Sequence, residues 1–142
     1  TQQDHVEIVN AICQEFSDLP SDCALILMGH GTSHYANDVY AALDYRFKDL
    51  GHDNIHLATV EGYPTLENVI RLVKEQGAKK VILTPFMIVA GDHARNDMSG
   101  EDEDSWKNQF QAAGYEVECC LKGLGEYPAV QNMLIRHVTE VC

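Results

Sequence analysis

The sequence predicts an α/β domain with a four-stranded parallel sheet and helices on both faces. Apolar runs alternate with segments of helical periodicity, in the order of one helix followed by four β-α units. The third run, residues 80–86, lacks polar alternation, as expected for a parallel strand that helices cover on both sides. Three of these runs also end abruptly beside a glycine and a polar side chain, which indicates strand ends at one edge of a sheet.

In the first half of the chain, individual residues indicate where the predicted helices begin and end. Asp4 is a plausible cap of the first helix, and Gly51 stands where a C-terminal glycine cap belongs. Pro64 is placed early in the third helix, where its missing N–H has no partner, and Gly77 ends that helix. The predicted elements are a helix over residues 4–16, a strand over 23–28, a helix over 36–50, a strand over 55–60 and a helix over 64–76.

The second half continues the alternation. An acidic run precedes the helix that starts at Trp106, where negative charge complements the positive helix end, and Gly114 closes that helix. Pro128 stands at the start of the last helix. We predict a strand over residues 80–86, an irregular segment over 88–98, a helix over 106–113, a strand over 115–121 and a helix over 127–141. No repeat or linker divides the chain, so a single domain over 1–142 is expected.

Composition excludes several classes of partner. The chain has 142 residues, 45% of them hydrophobic, and 10 Lys+Arg against 22 Asp+Glu give a formal charge of −12. Such a charge repels nucleic acids and anionic membrane surfaces. The five cysteines form no C-x-x-C pair, which argues against a disulfide framework or a zinc finger and favours a reducing, cytoplasmic compartment. No apolar run reaches the roughly 18 residues of a membrane span.

Three strand ends offer ligands for a metal ion. His30, Glu61 and His93 follow the first, second and third predicted strands, and the carboxyl ends of parallel strands share one edge of the sheet. Two imidazoles and a carboxylate suit divalent Co, Ni, Fe or Zn and leave coordination positions open. The spacing of about thirty residues matches no local metal motif, so the alternative that these are polar residues of three solvent-edge loops stays open.

Five strings resemble one enzyme family. They are residues 28–32 (MGHGT), 60–64 (VEGYP), 85–98 (PFMIVAGDHARNDM), 102–107 (DEDSWK) and 123–126 (GLGE). Together they resemble the anaerobic sirohydrochlorin cobaltochelatases of the CbiK type, which are class II chelatases. The resemblance implies a flavodoxin-like chelatase lobe that inserts Co(II) into sirohydrochlorin or factor II in cobalamin biosynthesis. It also implies that no ATP, other nucleotide or organic cofactor takes part.

The resemblance further implies roles for particular residues. His30, Glu61 and His93 become metal ligands, and His30 also becomes the acceptor of a pyrrole proton. Phe86, Met87 and Val89 are predicted either to line an apolar wall against the macrocycle or to be ordinary core, because pockets and cores share this composition. Arg95 is predicted to meet substrate carboxylates.

The family's chains are about twice as long as this one. The resemblance therefore implies that this chain is the C-terminal lobe, with residues 1–18 as a helix connecting two lobes, and that a second lobe or a homo-oligomer completes the enzyme. Two other functions stay open. One is a metal-binding lobe without catalysis. The other is a flavodoxin-like module that binds a cofactor at residues 29–32, although the chain has no glycine-rich phosphate-binding motif there.

Overall fold

The protein folds around a parallel sheet in the strand order β2-β1-β3-β4. A computed structural model describes residues 2–30, 37–87, 91–123, 126–128 and 131. Three parallel pairings join the strands, with β1 between β2 and β3. This confirms the predicted α/β class, and it places a switch in strand order beside β1, where ligands bind in open parallel sheets.

Nine helices and strands are assigned within the described residues. They are α1 Gln2–Glu15, β1 Cys23–Gly29, α2 Asn37–Asp49, β2 Ile55–Thr59, α3 Leu66–Gln76, β3 Lys80–Pro85, α4 Asp92–Ser99, α5 Trp106–Ala112 and β4 Glu116–Cys119. No helix among them combines the length and apolar character that crossing a membrane requires.

Two hydrophobic clusters flank the sheet. On one side, α1 and α2 pack Ile12 and Phe47 against alternate residues of β1 and β2. On the other side, α3 and α5 pack Val73 and Phe110 against the intervening strand residues. Every residue of β1 is buried because both of its faces are covered. β1 is therefore a rigid central support for the residue that follows it, His30.

Several predicted boundaries need correction. Residues 92–99 form helix α4 instead of an irregular segment, held by Met98, which is buried against the second cluster. Thr65 caps α3 by accepting from the Asn68 N–H, so Pro64 precedes that helix. Asp4 lies within the first turn of α1 and is not its cap.

The remaining differences concern the exposure of two predicted core residues and the lengths of the last strand and helix. Helical spacing over residues 36–50 predicts Val39 and Leu50 on one buried stripe with Leu43 and Phe47. Val39 and Leu50 are instead 41% and 56% exposed, because only Leu43 and Phe47 of these four residues pack in the core. The fourth strand is shorter than predicted, at Glu116–Cys119. Most of the predicted last helix, over 127–141, lies outside the described residues.

A polar network closes the outer edge of β2. Asp44 Oδ1 accepts from the Leu57 N–H at 2.8 Å, and Lys48 Nζ donates to the Ile55 carbonyl at 2.6 Å. Lys48 Nζ also lies 3.1 Å from Nδ1 of His56, and Nε2 of His56 lies 2.9 Å from Oε1 of Gln76. Because an ammonium only donates, Nδ1 must accept, and the neutral ring therefore carries its proton on Nε2 and donates to Gln76.

Candidate metal centre

His30 and Glu61 are brought together by backbone pairing that continues beyond the strands. The Val60 N–H donates to the Gly29 carbonyl at 3.0 Å, and the Glu61 N–H donates to the His30 carbonyl at 3.1 Å. These two bonds extend the contact between β1 and β2 past Gly29 and Thr59, where the regular strands end. The two residues therefore leave the sheet side by side at its carboxyl edge.

The two side chains are positioned to bind one metal ion together. His30 Nε2 and Glu61 Oε2 are 3.7 Å apart, and the side chains are 69% and 63% exposed. Two atoms that bind one metal ion at about 2.0–2.2 Å lie about 3.0–3.5 Å apart, so a small rotation brings this pair into range. The pair is too long for a hydrogen bond and too exposed for a strong ion pair, so little opposes its binding a cation.

His93 is the second residue of α4, which Gly91 precedes as N-cap. Its backbone lies in the segment that follows β3, next to β1 in the sheet, but its side chain lies outside the described part of the structure. Among the described residues, no group of three His, Cys, Asp or Glu side chains is placed to hold a metal. Two of the three predicted ligands thus lie next to each other, and metal binding by His30, Glu61 and His93 stays a prediction.

The other predicted site residues have different surroundings. Phe86 is 8% exposed and packs in the cluster beneath α1 and α2, while Met87 is half-buried against the opposite cluster. Arg95 lies exposed on α4. Val89 falls outside the described residues. Contact of these four residues with a macrocycle stays a prediction.

Sequence patterns missed a threonine that shapes the loop carrying Glu61. The Thr59 hydroxyl donates to the Pro64 carbonyl at 3.1 Å and accepts from the Gly62 N–H at 3.0 Å. The Thr59 N–H also donates to the Pro64 carbonyl, at 2.7 Å, and the Tyr63–Pro64 peptide is cis. A threonine at a strand end, directly before a loop that contains Gly62 and Pro64, is the pattern that could have indicated this contact.

Gly29 allows α2 to approach the strand end directly before His30. A Cβ added to Gly29 would lie 2.7 Å from Cε1 of Tyr40. We expect Gly29→Ala to lower the free energy of unfolding by about 1–3 kcal/mol, because the ring or the strand end must move. Urea denaturation measures this loss. The same substitution in a Tyr40→Leu background should have a smaller effect, and equal losses in both backgrounds would contradict the steric explanation.

The fold and the paired side chains define a class: parallel α/β domains that present an imidazole and a carboxylate at the carboxyl edge of the sheet. A CbiX protein of cobalamin biosynthesis from Marinobacter aquaeolei VT8 has a similar fold, with a TM-score of 0.59 and 20% identity over 83% of this chain and 92% of that one. The chain belongs to the cobalt chelatase (CbiK) family, whose sequence model matches residues 1–142.

Curated relatives carry a consistent name. The sirohydrochlorin cobaltochelatase of Salmonella typhimurium is 38% identical over 138 residues, which are 97% of this chain and 52% of that protein. Sirohydrochlorin cobaltochelatase CbiKC of Nitratidesulfovibrio vulgaris is 35% identical over 118 residues, 83% of this chain and 42% of that protein. The chain thus spans about half the length of these relatives, and it is similar to them over most of its own length.

Proposed function

We propose that this chain inserts Co(II) into sirohydrochlorin or its oxidised relative factor II, without ATP, and that His30, Glu61 and His93 hold the incoming ion. The observation that carries the proposal is the 3.7 Å approach of the His30 and Glu61 side chains at the carboxyl edge of the sheet. Membership of the cobalt chelatase family and the names of the relatives support the choice of metal and macrocycle.

The chemistry follows from what insertion requires. Two pyrrole N–H protons must leave the macrocycle while Co(II) exchanges protein and water ligands for four ring nitrogens. Imidazole binds Co(II) through a neutral nitrogen and accepts a proton once that nitrogen is released. His30 therefore holds the ion and then takes one pyrrole proton. Glu61 contributes negative charge that favours a dication, and its exposed carboxylate accepts the second pyrrole proton and releases it to solvent.

The macrocycle lies over the carboxyl edge of the sheet in this proposal, with Met87 and Val89 near its flat face and Arg95 near its carboxylates. The formal charge of −12 opposes a substrate that carries many carboxylates. A second lobe or a second copy of this chain closes the other face of the ring and supplies further basic groups. Residues 1–18 include α1, which packs Ile12 into the core of this lobe. In this proposal they also connect the two lobes.

An absorbance assay of the purified chain with Co(II) and sirohydrochlorin tests the proposal. We expect the spectrum of the metallated ring to form much faster than in the absence of protein, because the site delivers the ion and accepts protons. Folded protein that binds Co(II) but leaves the ring unmetallated would support a metal-binding lobe without catalysis. Purified protein that is coloured and contains phosphorus would support a module for a phosphate-bearing cofactor.

A further inference from the structure

We propose that Thr59 is a positioning residue that fixes the carboxylate of Glu61 beside His30 for Co(II) binding. The inference rests on the proposed function, because it gives Glu61 the task of holding the ion. Thr59 does not itself contact the metal in this proposal. It acts on Glu61 only through the loop at residues 60–64.

Thr59 ties the two ends of this loop together. Its hydroxyl accepts from the N–H of Gly62, the residue after Glu61, and donates to the carbonyl of Pro64 at the end of the loop. Thr59 itself is 3% exposed and ends a strand whose residues are all buried, so it has little freedom to move. A buried hydroxyl that both donates and accepts fixes a turn more firmly than packing alone.

Glu61 is held on both sides by these contacts. Its own N–H donates to the His30 carbonyl, and the next N–H, that of Gly62, donates to Thr59. The Glu61 side chain is 63% exposed, so packing does little to direct its carboxylate. The two backbone anchors therefore fix the main-chain position from which the carboxylate reaches His30. The Thr59 anchor is the one that a side-chain substitution can remove.

Substitution of Thr59 by valine keeps the shape and the backbone N–H but removes both hydroxyl bonds. We expect Thr59→Val to weaken Co(II) binding by about 10- to 100-fold, as is typical when a residue that orients a metal ligand is lost. Thr59→Ser restores the hydroxyl and should bind nearly as tightly as the original protein. Isothermal titration calorimetry with Co(II) alone measures the affinity for the metal without requiring turnover.

A double-mutant cycle separates positioning from a general structural effect. Glu61→Gln weakens binding by itself, and adding Thr59→Val to Glu61→Gln should then have little further effect, because no charged carboxylate remains to be placed. Thr84→Val is the matched control, since Thr84 is also a buried strand threonine but lies on β3, which β1 separates from β2 and its loop. It should leave Co(II) affinity unchanged. Circular dichroism confirms that each variant is folded at the temperature used.

The outcomes distinguish the two proposals. Unchanged affinity in Thr59→Val, or an equal loss with and without Glu61→Gln, would overturn the role of Thr59, whether or not the protein inserts cobalt. Coupled losses in a protein that binds Co(II) but never metallates sirohydrochlorin would support the role of Thr59 and overturn catalysis.

Discussion

Replacing His30 by alanine is expected to lower the rate of Co(II) insertion by about 10²- to 10⁴-fold, the range typical for loss of a group that transfers a proton. The substitution removes the Nε2 atom that lies 3.7 Å from the Glu61 carboxylate, and with it both a metal ligand and the nearest proton acceptor. The side chain is 69% exposed, so its loss should barely change the free energy of unfolding. The initial rate of the absorbance change at saturating Co(II) measures the effect.

His93→Ala is expected to act in the same direction, since we propose His93 as the third ligand. His52→Ala is the matched control, because His52 lies in the turn that precedes β2, at the opposite end of that strand from Glu61. Full activity of His30→Ala would exclude His30 from the mechanism. A loss in His52→Ala of similar size would show that removing any histidine impairs the assay.

The second large effect concerns acid stability. Burial, followed by the nearby Lys48 charge, lowers the pKa of His56 to about 4, whereas an unfolded histidine titrates near 6.5. As the pH falls from about 6.5 to about 4, the unfolded chain binds a proton that the folded chain excludes. At about 1.4 kcal/mol per pH unit, this removes about 3 kcal/mol from the free energy of unfolding. Urea denaturation across this pH range measures the loss.

His56→Asn isolates this contribution. The asparagine oxygen can accept from Lys48 but does not titrate, so the variant should lose less stability than the original protein between pH 6.5 and pH 4, by up to the same 3 kcal/mol. His52→Asn removes a histidine from the neighbouring turn and should retain the steeper dependence. Parallel curves for the original protein and His56→Asn would contradict the assignment of this titration to His56.

The fold was predictable because β1, β2 and β3 are largely apolar and because glycines mark the ends of helices. Gly51 and Gly77 adopt left-handed conformations after α2 and α3, as the sequence suggested. Helix α4 was missed because Met98 is the only fully buried residue among its described side chains, so no apolar period marks the helix. Pro64 was predicted inside α3 because proline is common at the first position of a helix. The side chain that caps α3 belongs to Thr65, which follows Pro64 directly.

The sequence predicts only that the candidate site residues follow the ends of parallel strands. Topology brings the ends of β1 and β2 together, so the approach of His30 and Glu61 follows from a parallel sheet in which these two strands are neighbours. The hydroxyl of Thr59 is different, because its partners depend on how residues 60–64 turn back on the strand. Hydrophobic periodicity carries no information on such a turn.

The network around His56 also limits how the molecule can associate. On the outer side of β2, the N–H groups of Ile55, Leu57 and Thr59 are bonded to His52, Asp44 and Pro64, and the Ile55 carbonyl is bonded to Lys48. An incoming strand from another molecule would have to break these bonds before it could extend the sheet there. These bonds therefore oppose amyloid-like extension of the sheet from its β2 edge.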